Sequence, residues 1–266
     1  PNITMPYAPE LGICTSPRVV EGIIIYLRKR GIEDIVIGEG AGGAIDMDKH
    51  FEVSGYKELS ERLNVPLINL NKDMKVILHG NYLQRIPVAR TAIDRFVINV
   101  PKMKTHRMGI ITLAMKNMLG VILPYDKKSI MHPLYEKYVK IALKEKRTFT
   151  EKELEETRRE FFTNLKDFYS VLKPQLNIAD AFLAREGDGL TPNSGGTVNM
   201  NCVLLSESAS ALDYVASSLM GLSDLFSPYL GKQELENIKI ISNKSLDKIK
   251  KNFKLIPLTK ELIIFK

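Results

Sequence analysis

The sequence contains few cysteines and has no long apolar run. Its 266 residues include only Cys14 and Cys202, too few for a disulfide framework or for a four-thiolate cluster within the chain. The longest apolar runs, such as Gly22–Leu27, fall far short of the roughly 20 residues that span a bilayer. With no signal peptide in the sequence, these features predict a protein of the reducing cytoplasm without a membrane span.

The sequence also lacks zinc-finger and RNA-binding motifs, and its four histidines show no metal-ligand spacing. No metal ligands are therefore assigned, and the sequence leaves open whether a metal or a cofactor is bound. The net charge of +7 comes from 38 basic and 31 acidic residues, which are largely interleaved. This pattern favours a Lys-rich solvated surface over a nucleic-acid partner, and a small anionic ligand is the next candidate.

Short strands and helices alternate along the chain, which predicts an α/β layered fold. The sheet is expected to be mostly parallel or mixed, with helices on both faces and one charged helical insertion. Helices are predicted at about 17–30, 55–63, 109–122 and 150–172, with another beginning at 133. A further helix is predicted to begin after a cap at Ser206 or Ser208 and to end at Gly221. Strands are predicted at 35–37, 67–70, 76–78, 86–89, 95–100, 176–182, 200–205 and 238–241, and the tail closes with the apolar run 262–265.

A change of composition marks the charged insertion. Residues 126–173 include 12 basic and 9 acidic side chains, and Thr150 with Glu153 three residues later forms a capping box. We therefore divide the chain into an α/β body, 1–124 and 176–266, and a helical insertion, 125–175. The insertion is interpreted as a lid or as the contact of a homo-oligomer.

The strongest functional signal follows the predicted strand at 95–100. Lys102, Lys104 and His106 come directly after its carboxyl end, and ligands of open α/β sheets bind at the carboxyl ends of strands. A helix start predicted near 108–109 would add its positive dipole end. These features predict an anion site; the alternative is a basic turn that is merely solvated.

The predicted helix at 109–122 is apolar on nearly all sides, which is typical of a buried helix. Thr112 and Lys116 lie four residues apart on one stripe, with Asn117 beside it. A buried lysine needs a partner or loses its proton. The stripe is therefore expected to face a polar pocket, and the alternative is an ion pair of Lys116 with Asp188 or Asp213.

Three further segments supply candidate ligand-binding residues. The loop 185–196 contributes Asp188 and Gly189, and the glycine lets the backbone approach a ligand closely. The Gly-rich loop 38–43 contributes Glu39 and Gly40, although its spacing is only a weak dinucleotide signal. His132, at the start of the insertion, is expected to face the same pocket as His106. Each of these residues has a structural alternative, as a turn residue or a core histidine.

The segments 101–106, 112–120 and 186–192 resemble the family catalogued as domain of unknown function 362. The opening Pro-Asn, the Thr-Ser-Pro at 15–17 and the Gly-Glu-Gly at 38–40 extend the resemblance over nearly the whole chain. It implies a first β-strand upstream of Pro1. Many members of this family carry a ferredoxin-like cysteine cluster, which this chain lacks. The family is distantly similar to lactate racemase-like proteins, two-domain α/β enzymes that act on hydroxy acids with a nickel-pincer cofactor.

Two function classes follow from these observations. In the first, the protein binds a carboxylate- or phosphate-bearing small molecule, with Lys102, Lys104, His106 and Lys116 as its positive groups. His106, or Lys104 with a lowered pKa, would then serve in acid/base chemistry such as racemisation, while Asn117 and Asp188 orient the ligand. Lys116 is a further catalytic candidate and Thr112 a further ligand-binding one. In the second, the chain is a redox or electron-transfer accessory of an iron–sulfur partner. Binding to nucleic acid is a third and weaker alternative.

Overall fold

The computed structural model describes residues 1–40, 46–231, 235 and 238–260, and of residues 125–126 the backbone alone. The strands are β1 Ile37–Glu39, β2 Leu67–Asn69, β3 Lys75–Leu78, β4 Ile86–Ala89, β5 Ile98–Asn99, β6 Lys102–His106, β7 Ile110–Thr112, β8 Leu176–Arg185 and β9 Thr197–Ser206. The helices up to residue 131 are α1 Pro17–Lys29, α2 Met47–Val53, α3 Tyr56–Leu63, α4 Thr91–Asp94, α5 Ala114–Asn117 and α6 Pro124–Met131. The later helices are α7 Pro133–Lys144, α8 Glu151–Val171, α9 Ala209–Leu219, α10 Ser223–Phe226 and α11 Leu246–Ile249.

The strands form a mixed sheet in which the central pairs are parallel, as the α/β prediction requires. β5 and β6 both run parallel to β8, while β7 lies antiparallel to β6 and β9 antiparallel to β8. β1 and β2 form a separate parallel pair, and β3 and β4 form the predicted hairpin. β5 pairs with the first residues of β8 and β6 with its later ones, so the carboxyl ends of β6 and β8 lie at the same end of the sheet.

Local signals explain where the long helices begin. Pro17 opens α1 directly after Ser16, because its fixed φ suits the first helical turn. Thr150 and Glu153 form the predicted capping box at the start of α8, and the Ser208 side chain accepts from the backbone N–H of Ala211 at the start of α9. These three predicted helix starts are confirmed.

Apolar side chains form two core clusters. The smaller cluster lies around α1, α2, α3 and β1, and the larger one around β6 to β9 with α8 and α9. α8 is rich in charge, yet Phe161, Phe162, Leu165 and Phe168 are buried in the larger cluster. The helical segment predicted as an insertion therefore shares the core of the α/β body; its role as a lid or an oligomer contact remains a prediction.

Several sequence predictions differ from the structure. The predicted helix at 109–122 is wrong: β7 occupies its first part, followed by the four-residue α5 and a 3-10 turn, Met118–Val121. The predicted strand at 238–241 is also wrong, since these residues form no strand. α2 was not predicted. The closing run 262–265 and residues 41–43 of the Gly-rich loop lie outside the described residues.

Candidate functional site

The β6–β7 hairpin carries the first candidate residues. Lys104 pairs with Thr112 across the hairpin and His106 pairs with Ile110, so these side chains share one face of the hairpin. The predicted helix start at 108–109 is wrong, because residues 107–109 form the turn of this hairpin. The site therefore gains no helix dipole there, and its positive charge comes from side chains.

The turn of this hairpin is held by His106. Its Nδ1 accepts from the backbone N–H of Met108 and of Gly109, at 3.2 and 3.0 Å. Ile110 follows with a φ of +64°, a conformation that strains a β-branched residue. Strain of this kind is kept where surrounding contacts fix the backbone, and it is common at functional sites.

Lys104 is fully buried, and its ammonium is directed to the N-terminal segment. Nζ donates to the carbonyl of Ile13 at 2.9 Å and to the Thr4 hydroxyl at 3.3 Å. Burial, which disfavours the charged amine, lowers the pKa of Lys104 to about 8. Lys104 is therefore mostly protonated at pH 7, but it loses its proton more easily than an ordinary lysine.

Lys116 lies on α5 and is partly exposed. Its amine has no hydrogen-bond or ion-pair partner among the described residues. Burial and then repulsion from Lys104 and Lys127 lower the pKa of Lys116 to about 7. About half of the Lys116 side chains are therefore neutral at pH 7, which is rare for lysine.

The carboxylates considered as partners of Lys116 are bound elsewhere. Asp213 accepts from the backbone N–H of Ala114 and of Met115, at 2.7 and 3.0 Å. Asp188 pairs with Arg107 at 2.7 Å. The structural alternative proposed for Lys116, an ion pair with Asp188 or Asp213, is therefore wrong.

Lys127, on α6, is a site residue that sequence reasoning missed. Its Nζ lies 3.5 Å from the carbonyl oxygen of Gly40, and burial lowers the pKa of Lys127 to about 8 despite the opposing carboxylate of Glu39. The charge-rich segment around Lys127 predicts a solvated side chain. Only the tertiary structure brings its amine beside the carbonyl of Gly40.

His106 and His132 complete what we call the basic cluster: Lys104, His106, Lys116, Lys127 and His132. Burial and then the charge of Lys116 lower the pKa of His132 to about 4, and the same causes hold the pKa of His106 well below its usual range. Both imidazoles are therefore neutral at pH 7. Since Nδ1 of His106 accepts two hydrogen bonds, its proton lies on Nε2, which can donate to a ligand.

Buried polar atoms without partners surround the basic cluster. Among the described residues, none bonds to the Thr112 hydroxyl, to Nδ1 of His132, or to Nε and Nη1 of Arg107. Buried groups of this type nearly always have a partner, because leaving one unpaired costs about 1–3 kcal/mol. Other buried atoms without a partner belong to Arg28, Asn71 and Arg185, outside the basic cluster.

Glu39 and Asn117 hold the N-terminal segment over this region. Glu39 is buried and accepts from the backbone N–H of Ile3 at 2.7 Å and of Gly40 at 2.9 Å. Burial raises the pKa of Glu39. Asn117 donates to the carbonyl of Pro1 at 3.0 Å and accepts from the Asn2 side chain at 2.8 Å. In this structure both side chains therefore hold the backbone of residues 1–3 in place, and Glu39 also holds that of Gly40.

Gly40 and Gly189 allow close approaches of backbone to backbone. A Cβ on Gly40 would collide with the carbonyl oxygen of Gly120, and one on Gly189, whose φ is +73°, would collide with that of Thr105. Because residue 40 has no side chain, its backbone can lie close to Gly120, where its carbonyl contacts Lys127. Because residue 189 has none, its loop can pack against β6. Both glycines were predicted near the ligand, and their observed contacts are with the protein.

Asp188 and Lys102 are both engaged in buried ion pairs. Asp188 binds Arg107 and also accepts from the backbone N–H of Leu190 and of Thr191. Lys102 binds Asp180 at 2.8 Å, and both side chains are buried. Because its charge is already balanced, Lys102 does not add to the unpaired charge of the site, in contrast to what the sequence suggested.

Comparison with known proteins gives the family. A family model described as a domain of unknown function (DUF362) matches residues 1–218, so the chain belongs to this family. It is 24% identical over 235 residues to the thylakoid-associated protein sll1697 of Synechocystis sp.. The match covers 88% of this chain and 65% of that relative, so the chain spans somewhat less than two thirds of the relative's length. No solved structure matches the chain.

The described residues contain no group of three or more His, Cys, Asp or Glu side chains arranged to hold a metal ion. Within the same residues, no helix combines the length and the apolar character needed to cross a bilayer. Cys14 and Cys202 are both free thiols.

Proposed function

We propose that this protein binds a small anion bearing a carboxylate or a phosphate at the basic cluster. The observation that carries the proposal is the amine of Lys116, which faces two other lysines and has no partner among the described residues. Bringing amines together in a region of low solvent access raises the free energy of their charged forms. A bound anion removes that repulsion.

The surrounding donors support the same ligand class. Nε2 of His106 and the Thr112 hydroxyl can donate to a ligand oxygen, and Arg107 has unused guanidinium donors. Arg107 is held in place by Asp188. Amine, guanidinium and neutral imidazole donors together match the several acceptor oxygens of a carboxylate or a phosphate.

Acid/base chemistry is the reaction class that we propose for this site. An amine whose pKa lies near 7 is matched to proton transfer at physiological pH. In a racemisation, the fraction of Lys116 that stays neutral in the complex would take the proton from the carbon next to a bound carboxylate, and water would return a proton to the opposite face of that carbon. The ammonium groups of Lys104 and Lys127 would then stabilise the charge that develops on the carboxylate oxygens. His106 serves as a donor here, because its Nδ1 already accepts from the turn.

The Synechocystis relative is named for its association with thylakoids. The cytoplasm remains the proposed compartment of this chain. A homo-oligomer formed through residues 125–175 remains a proposal as well, and sedimentation of the purified protein tests it.

Binding is tested by calorimetry with inorganic phosphate, sulfate and a 2-hydroxy acid, in buffers that differ in ionisation enthalpy. Because the bound anion raises the pKa of Lys116, binding near pH 7.5 should take up roughly half a proton or more. Lys116→Gln should lose this uptake and weaken binding about tenfold or more. Lys140→Gln, which removes an exposed charge from α7, is the matched control and should leave both unchanged.

The reaction class is tested separately. The protein is incubated in deuterium oxide with a single enantiomer of a 2-hydroxy acid, and exchange at the carbon next to the carboxylate is followed by NMR. Exchange that disappears in Lys116→Gln supports acid/base chemistry. Tight anion binding without exchange would retain the binding site and remove the catalytic role. Absence of binding by any of these anions would favour the accessory role beside an iron–sulfur partner.

A further inference from the structure

The positive charge of the chain is concentrated in one segment, residues 239–260, which we call the lysine segment. It includes seven lysines and one acidic residue, Asp247, so it carries a net charge of +6, against +7 for the whole chain. All seven lysines are exposed: Lys239, Lys244, Lys248, Lys250, Lys251, Lys254 and Lys260. Among the described residues, no carboxylate forms an ion pair with any of them. The segment therefore presents positive charge that the rest of the described chain does not neutralise.

Buried apolar residues fix the lysine segment to the body of the protein. Phe253 and Leu258 are buried in the larger core cluster. The backbone N–H of Lys251 donates to the carbonyl of Leu219, the last residue of α9, at 2.8 Å. The lysines therefore project from a backbone that is already held in place, and a partner does not have to order this part of the chain when it binds.

Two isoleucines near the start of the lysine segment have no such place in the core. Ile240 is 46% exposed and Ile241 is 87% exposed, the largest exposed fraction among the large apolar side chains of the described residues. A turn follows them, in which the Ser242 hydroxyl donates to the carbonyl of Lys244 at 2.6 Å and accepts from its backbone N–H at 3.1 Å. Lys239 precedes the pair. An exposed apolar pair therefore lies between two exposed lysines, next to a turn.

This combination fits the surface of a bilayer that contains anionic lipids. The negative potential of such a surface attracts lysines, and apolar side chains beside them can enter the boundary between headgroups and acyl chains. A nucleic acid would bind the lysines but would leave the two isoleucines in water. Proteins that bind single-stranded nucleic acid also present aromatic side chains for base stacking, and Phe253, the single aromatic residue of the lysine segment, is buried.

We propose that the lysine segment is a docking surface for an anionic lipid bilayer. Its lysines lie against the headgroups, while Ile240 and Ile241 insert at the boundary with the acyl chains. The protein would lie on the bilayer without crossing it. Because the cytoplasmic leaflet of cell membranes carries anionic lipids, this surface agrees with the compartment proposed above.

Insertion is tested with a tryptophan reporter. The chain contains no tryptophan, so the fluorescence of Ile241→Trp reports on this position alone. With vesicles of phosphatidylcholine that contain about one third phosphatidylglycerol, its emission should shift to shorter wavelength and should be quenched by lipids brominated along the acyl chain. Tyr82→Trp, at a side chain that is 73% exposed between β3 and β4, is the matched control and should keep the emission of a residue in water.

The strength of binding is measured by co-sedimentation of the chain with the same vesicles. Lys244→Gln should weaken binding about fivefold, and Ile241→Ser about fivefold or more. Tyr82→Ser and Lys140→Gln, at exposed side chains elsewhere, should change it by less than about twofold. Raising the salt concentration from about 0.1 M to about 1 M shortens the Debye length from about 10 Å to about 3 Å and should release most of the protein.

Other outcomes would overturn the proposal. Equal binding to vesicles of phosphatidylcholine alone would remove the role of the lysines, and binding that Ile241→Ser leaves unchanged would remove the insertion. Tighter binding to polyuridylate than to the anionic vesicles would identify a nucleic acid as the partner. Absence of binding to both would show that the lysine segment is a solvated surface. Anion binding at Lys116 is measured independently, so failure here leaves the proposed function standing.

Discussion

The low pKa of Lys116 predicts an unusual dependence of stability on pH. In the unfolded chain a lysine titrates near its ordinary pKa of 10.5, whereas in the folded protein Lys116 titrates at about 7. Between these values the unfolded state binds more protons, so the free energy of unfolding rises with pH. The destabilisation is complete below about pH 7 and vanishes above about pH 10.5.

The magnitude follows from the linkage relation. One proton difference gives at most about 1.4 kcal/mol per pH unit, and the partial exposure of Lys116 reduces this to about 1 kcal/mol per pH unit. Replacing Lys116 by Met removes the titrating group and keeps the length of the side chain. Between about pH 7.5 and pH 9.5, the wild-type protein should therefore gain about 2 kcal/mol more stability than Lys116→Met.

The assay is urea unfolding at several pH values in a buffer free of phosphate and carboxylates. Lys140→Met removes an exposed lysine and should keep the wild-type slope. Parallel slopes for the wild type and Lys116→Met would refute the reasoning, because they would show that Lys116 keeps an ordinary pKa in the folded protein. They would also remove the main support for Lys116 as a base.

Three further predictions concern stability and are checked by urea unfolding. Gly40→Ala should destabilise the protein and weaken anion binding, since its Cβ would collide with a backbone carbonyl. The control Gly22→Ala places a Cβ in open space on α1 and should raise the free energy of unfolding by about 0.5–1 kcal/mol. Asp188→Ala should cost about 3–5 kcal/mol, because Arg107 is left buried without its carboxylate; a cost below about 1 kcal/mol would contradict this. Thr150→Ala removes the capping box of α8 and should cost about 1 kcal/mol, while an unchanged midpoint would show that the cap is dispensable.

Features encoded over a few residues could be predicted from the sequence. The starts of α1, α8 and α9 follow from Pro17, Thr150 and Ser208, because a cap or a fixed φ acts within one helical turn. The sequence also grouped Lys104, His106, Lys116 and His132 in one site, which remains a prediction. Its reasoning was wrong in one respect: Lys104 and His106 lie within β6 and not beyond a strand end.

For the predicted helix at 109–122, the local sequence pattern did not identify the secondary structure correctly. Its apolar residues suit a helix as well as a buried strand, and periodicity alone does not distinguish the two. In the structure, residues 110–112 instead pair with β6 as the second strand of a hairpin. This pairing depends on how neighbouring elements bury the segment, and the local sequence does not encode that.

What the sequence by itself determined is the α/β class, the long helices and the family. Only the tertiary structure decided which charges are free. Lys102 and Arg107 find carboxylates 78 and 81 residues away, whereas Lys116 finds none among the described residues and Lys127 reaches the loop of Gly40. The physical reason is that the cost of burying a charge depends on whatever partners the fold brings beside it.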